Sequence, residues 1–143
     1  MKKPATGFHG SGEFYKYNAP FKKDKPLKND ALTKSRRAYL ACVRYVDRQV
    51  GKVLTELKDL GLEKNTIVVI WGDHGWFLGD MQMWAKHSPH EEANRSVLIL
   101  KVPGTTAKKT SALAETIDLF PTLVDFCNTK EKSTSHKLDG VSL

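Results

Sequence analysis

Apolar residues recur at steps of three and four through the stretch from Thr33 to Leu60. Val43, Val46, Val50, Val53, Leu54, Leu57 and Leu60 line one face, and Arg44, Asp47, Arg48, Lys52 and Lys58 fall mainly on the other. That spacing predicts an amphipathic helix, ended at Gly61. Thr66-Ile67-Val68-Val69-Ile70-Trp71 is short, uncharged and rich in β-branched residues. It predicts a strand buried on both faces, as in a parallel sheet. A second such run covers Val97 to Val102, ahead of Pro103-Gly104. A further helix is predicted from Leu119 to Cys127, with Asp118 as N-cap and Pro121 in the first turn. Residues 1–31 hold Gly7, Gly10, Gly12, Pro4, Pro20 and Pro26 with no period of 2 or 3.6, which predicts irregular chain. Lys130 to Leu143 also reads as loop. Helix, strand, long loop, strand and helix together predict α/β layering.

Composition narrows the class. A chain of 143 residues has room for one domain. With 40% hydrophobic and 27% charged residues, it is neither a disordered nor a collagen-like chain. No run approaches the roughly 18 apolar residues of a membrane span. Met1-Lys2-Lys3-Pro4 has no apolar run behind its charges, so no signal peptide is predicted. The net charge of +7 is lopsided, because residues 1–38 carry ten Lys/Arg against Glu13, Asp24 and Asp30, while the rest is balanced. The basic balance therefore describes a segment, read as solvated and loosely ordered, with a polyanion-binding arm as the alternative. Cys42 and Cys127 form no C-x-x-C pair and no zinc spacing. Both lie in helical apolar patterns, which predicts two buried thiols.

The chemistry concentrates between Trp71 and Arg95, which holds all three tryptophans and three of the five histidines. A buried strand ends at Trp71, and Gly72 and Gly75 flank Asp73-His74. Ligands of open α/β sheets bind at the carboxyl ends of strands, and glycines allow a sharp turn and close approach. In such a turn the Asp oxygen and the His nitrogen can converge on one divalent ion. The mixed donor set leaves calcium, magnesium, manganese and zinc open. Gly and Asp also favour plain turns for local reasons. The aromatic-rich loop with Lys86, His87 and His90 could bind an anion or simply pack.

Five ordered segments carry a resemblance. They are Tyr45-Val46-Asp47-Arg48-Gln49-Val50-Gly51-Lys52-Val53-Leu54, Leu60-Gly61-Leu62-Glu63-Lys64-Asn65-Thr66-Ile67-Val68-Val69, the Gly72-Asp73-His74-Gly75 turn with Leu78-Gly79, Trp84-Ala85-Lys86-His87-Ser88, and Ile117-Asp118-Leu119-Phe120-Pro121-Thr122-Leu123. From about Arg37 to Leu143 the chain resembles the C-terminal part of type I sulfatases of the alkaline-phosphatase superfamily, nearest the iduronate-2-sulfatase branch and bacterial relatives. The resemblance implies a partial alkaline-phosphatase-like α/β sandwich, with a mostly parallel sheet and flanking helices. It divides the chain into a basic irregular segment, 1–36, and the C-terminal portion of a catalytic domain, 37–143. It implies that Asp73 and His74 ligate one divalent ion, usually Ca2+, with the remaining ligands outside this chain. It implies that Lys86 contacts the substrate sulfate, with His87 beside it as a candidate substrate contact or a packed or solvated residue. The substrate would be a sulfated sugar or another sulfate ester, with no nucleic acid partner and no membrane span. The parent enzyme would be exported or lysosomal. Arg95 reads as structural, paired with Glu91 or Glu92.

The resemblance also exposes an absence. The family's formylglycine nucleophile is made within C-x-P-S-R or C-x-A-x-R, yet Cys42 precedes Val43-Arg44-Tyr45-Val46 and Cys127 precedes Asn128-Thr129-Lys130-Glu131. The isolated chain is therefore expected to be inactive. It is also expected to be marginally stable or prone to associate, through unpaired strand edges and an apolar face. Two other readings remain open: a phosphonate or phosphodiester hydrolase of the same superfamily, and a non-catalytic basic polyanion-binding protein.

Overall fold

The computed structural model describes residues 13–17, 27, 29–129 and 136–143. Residues 1–100 and 101–143 form two compact units. The first described element of the first unit is a short helix, α1 (Glu13–Tyr17), inside the segment read as irregular; the rest of residues 1–26 lies outside the described residues.

Helix α2 (Asn29–Asp59) follows the predicted periodicity and starts four residues earlier, so the 36/37 division falls within it. It ends as the sequence predicts. Gly61 takes φ +70°, and its N–H donates to Lys58 O while the Leu62 N–H donates to Leu57 O. These bonds satisfy carbonyls that the helix end leaves open. The apolar face of α2 is only partly covered among the described residues, with Val50, Leu54 and Leu57 half-buried. No residue of the helix is buried, and Val46 and Val53 are 58% and 68% exposed.

Strand β1 (Val68–Trp71) pairs with β4 (Leu98–Lys101), and Gly72 N–H donating to Val97 O carries the pairing one residue further. The expectation of strands buried on both faces does not hold. This sheet has two strands among the described residues, Trp71 is exposed, and β4 alternates half-buried with exposed positions. A β-branched run reports a strand; how much of it is covered depends on neighbours that the run does not contain.

The connection between these strands is more structured than a long loop. Strands β2 (Phe77–Leu78) and β3 (Trp84–Ala85) form a small antiparallel hairpin with Phe77 opposite Ala85 and Leu78 opposite Trp84. Its tip turns through Gly79, Met81 and Gln82, all at positive φ. Helix α3 (Glu91–Asn94) follows. The hairpin holds most of the buried side chains of this unit. Phe14, Trp84 and Ala85 form one cluster, joined by Leu27, Leu32, Trp76 and Leu78. Phe77, Met83 and Ala93 form another, with Met81 against it. Leu32 and the Arg36 Nε–H, which donates to Leu78 O at 2.8 Å, tie the start of α2 to the hairpin.

In the second unit, helix α4 (Leu119–Phe126) matches the predicted helix to within a residue. Asp118 caps differently from the expectation. Its Oδ2 accepts from the Glu115 N–H at 2.8 Å, in a capping box around the 3-10 turn Thr116–Asp118, and its Oδ1 accepts from the Val141 N–H at 2.9 Å. Those two N–H groups hold its carboxyl below the usual aspartate range. The fully buried Thr122 donates to Asp118 O and accepts from the Leu143 N–H, so two side chains fasten the final segment. Cys42 and Cys127 are free and exposed, not buried. Cys42 sits on α2, which buries no residue, so an apolar pattern did not translate into burial.

Candidate active site

The end of β1 leads directly into the Asp73-His74 turn. Gly72 leaves the strand against Val97, and the Gly75 N–H donates to Ala93 O at 2.7 Å. A Cβ on Gly75 would collide with the backbone oxygens of Glu92 and Arg95. The turn is therefore closed against the end of α3 at a distance that only glycine permits.

That closure orients His74. Its Nδ1 lies 2.8 Å from Gly75 O. A carbonyl only accepts, so Nδ1 carries the proton in this bond and Nε2 is left with its lone pair in the neutral ring. Nε2 lies 3.6 Å from Asp73 Oδ1. Two donors sharing one ion at about 2.0–2.5 Å sit roughly 3–4 Å apart. A metal-ligating histidine usually donates its other ring N–H to a carbonyl or carboxylate, which is the bond seen here. The Asp73 side chain is 72% exposed and that of His74 is one-third exposed, so both are open to an ion. Asp73 and His74 thus fit a divalent cation as two of its ligands. Among the described residues no group of three or more His, Cys, Asp or Glu completes such a site.

Trp76 connects this turn to Lys86. Its ring centroid lies 6.2 Å from that of His74, and the Lys86 ammonium lies 5.8 Å from the indole, within cation–π range. Lys86 leaves β3 immediately after Ala85, which is fully buried and at φ +70°. A non-glycine residue in that region is uncommon. Here it turns the chain at the root of the lysine.

Glu13 meets the two basic side chains that follow Ala85. Its Oε1 lies 3.3 Å from Lys86 Nζ and its Oε2 lies 3.5 Å from His87 Nδ1. Sequence reasoning missed Glu13, although it is the only acid in residues 1–23. Trp76 was counted in the aromatic loop without its place beside His74 and Lys86. The window's three histidines separate in space. His74 belongs to the turn, His87 to Glu13, and His90 lies edge-on against Phe77 with ring centroids 6.3 Å apart. Arg95 pairs with Glu91 at 3.8 Å, as the sequence reading expected.

Comparison with known proteins decides the family. The sulfatase family model matches residues 6–129. The chain belongs to the sulfatase family. Among curated sulfatases, it is 39% identical to mouse (Mus musculus) iduronate 2-sulfatase over 124 residues, covering 68% of this chain and 22% of that protein. It is 35% identical to an N-acetylglucosamine-6-O-sulfatase of Bacteroides thetaiotaomicron over 109 residues, covering 75% of this chain and 19% of that protein. One similar solved structure is of a protein in complex with its substrate D-glucosamine-2-N,6-O-disulfate. It superposes with a TM-score of 0.72 at 29% identity, over 91% of this chain and 27% of that one. These matches support the partial alkaline-phosphatase-like fold expected from the sulfatase resemblance. The chain spans about a fifth of the length of the curated sulfatases it matches.

Proposed function

We propose that this chain supplies part of the active site of a sulfatase that hydrolyses sulfate esters. In this reading, residues 37–143, together with the preceding residues that the family model also matches, belong to the C-terminal portion of its catalytic domain. Asp73 and His74 provide two ligands to one divalent ion, Ca2+, and Lys86 contacts the sulfate, with His87 beside it. The observation that carries the reading is the pairing within the Gly72–Gly75 turn, where His74 Nδ1 is spent on Gly75 O and Nε2 is 3.6 Å from Asp73 Oδ1. When bound, the ion would supply positive charge where negative charge develops on the transferring group. This chain's residues hold two of its positions and present an ammonium group to the same anion. The nucleophile comes from outside this chain, so the isolated chain is inactive. A sulfated sugar is the favoured substrate class, supported by the substrate of the similar solved structure.

The test replaces the matching segment of a bacterial sulfatase relative with this chain and measures aryl sulfate and aryl phosphodiester hydrolysis. Aryl sulfate turnover is expected, falling about 100-fold or more in Asp73→Ala, His74→Ala and Lys86→Ala. Preference for the phosphodiester would assign the chain to a different hydrolase of the superfamily. Full aryl sulfate activity in all three variants would remove these residues from the active site.

A further inference from the structure

Glu13 lies on α1, and α1 is docked by Phe14, whose ring stacks on Trp84 with centroids 4.5 Å apart and planes 20° off parallel. The Glu13 side chain is only 18% exposed, so its contacts with Lys86 and His87 are less screened than a surface pair. A lysine has a flexible four-carbon stem and three N–H donors. Left alone, its ammonium samples many positions. Here the lysine directly follows the buried Ala85, and its ammonium lies 3.3 Å from the Glu13 carboxylate and 5.8 Å from the centre of the Trp76 indole. The ammonium has three N–H donors and its side chain is partly exposed, so it can pair with Glu13 and still face an incoming anion.

We propose that Glu13 is a positioning residue that fixes the Lys86 ammonium beside Trp76 for contact with the substrate's sulfate. The inference rests on the reading of Lys86 as the sulfate contact. Two effects oppose each other at this site. The Glu13 charge repels an approaching sulfate, whereas its hold on Lys86 removes the disorder that binding would otherwise have to overcome. The proposal is that the second effect wins.

The test uses the 143-residue chain, NMR and inorganic sulfate as the probe. The Lys86 Hε protons report position, because they are shifted by the Trp76 ring current only while the ammonium stays near the indole. Phe14 signals report whether α1 stays docked. Glu13→Met keeps the side-chain length and removes both acceptors. It should move Lys86 Hε to the free-lysine value and weaken sulfate binding about threefold or more, with Phe14 unmoved. Glu13→Gln keeps one acceptor for Nζ and should restore part of the Lys86 shift. Phe14→Ala releases α1 by a separate route and should free Lys86 in the same way. An unchanged Lys86 shift in Glu13→Met and Phe14→Ala overturns the proposal, as does sulfate binding that is equal or tighter in Glu13→Met. Lys86→Met tests the underlying reading separately. If it leaves sulfate affinity unchanged, Lys86 is not the sulfate contact, whatever the Glu13 variants show of its position.

Discussion

Gly75→Ala is the substitution that most directly tests how the Asp73-His74 turn is held. The added Cβ would sit 2.6 Å from Arg95 O and closer still to Glu92 O. Both are backbone atoms, so neither can rotate away as a side-chain tip would. Ordinary contact begins at 3.4 Å, and relief requires the turn or the end of α3 to move. Overpacking of this kind costs about 1–3 kcal/mol. Separation would also stretch the bond from the Gly75 N–H to Ala93 O, worth about 0.5–1.5 kcal/mol. The expected loss is therefore about 2–4 kcal/mol, a large share of the 5–15 kcal/mol typical of a domain. With a urea slope of about 1–3 kcal/mol per M, the unfolding midpoint should fall by roughly 0.7–4 M. Gly72→Ala is the control, since its Cβ meets Ser96 Cβ at 3.4 Å and Val97 Cγ1 at 3.5 Å, both ordinary contacts. A second readout is the His74 ring, whose Nδ1–H signal should lose its hydrogen-bonded shift in Gly75→Ala and keep it in Gly72→Ala. Equal midpoints for the wild type and Gly75→Ala, with His74 undisturbed, would show that the turn is not closed against α3.

Gly51→Ala, in the middle of α2 with nothing within 4 Å of the new methyl, should stabilise the chain by about 0.5–1 kcal/mol in urea unfolding. Ala85→Gly should stay within about 1 kcal/mol of wild type, because relief of the positive φ offsets the lost methyl burial and the added unfolded-state entropy. Ala85→Val, β-branched in a fully buried left-handed position, should lose about 2 kcal/mol or more by the same measurement. The lowered pKa of Asp118 makes its ionised form the stabilising one. Its contribution is complete above the ordinary aspartate value of about 3.9 and is lost as pH falls through the lower folded value. The Val141 amide shift should therefore titrate with a midpoint below that value, and a midpoint at or above it would contradict the bonding described. Because α2 leaves Val46 and Val53 exposed, the isolated chain should self-associate with rising concentration in sedimentation, and Val46→Glu with Val53→Glu should reduce this. A monodisperse monomer with a cooperative melt would count against it.

The elements that could be read from the sequence are those whose signal is long or locally dense. Helix α2 repeats its apolar step through several turns, and β1, β4 and α4 each fill an uninterrupted run. Helix α1 and the β2–β3 hairpin escaped because they are too short to show a period. Five residues hold one helix, and two hold each strand. Their stability comes from Phe14 on Trp84 and from Leu32 and Arg36 reaching over from α2, contacts between residues far apart in the chain. Burial failed for a related reason. A pattern says which face would be covered, but the cover has to come from elsewhere, and among the described residues α2 finds only part of it while Cys42 stays exposed.

The same distinction runs through the candidate site. Asp73 and His74 are adjacent, and the glycines flanking them announce the turn, so this pair is visible in four consecutive residues. The reason the turn needs Gly75 is not visible there, because the obstructing oxygens belong to Glu92 and Arg95. Lys86 stands out only through its tryptophan and histidine neighbours, and its position depends on a hairpin with three residues of its tip at positive φ. Glu13, most distant in sequence, carried no signal beyond being an acid in a basic segment. The local turn sets the geometry of Asp73 and His74, while tertiary contacts determine where Lys86 stands against Trp76 and Glu13. On the proposed function, a substitution at Asp73 or His74 should remove a metal ligand outright. One at Glu13, Phe14 or Ala85 should change how precisely Lys86 is placed.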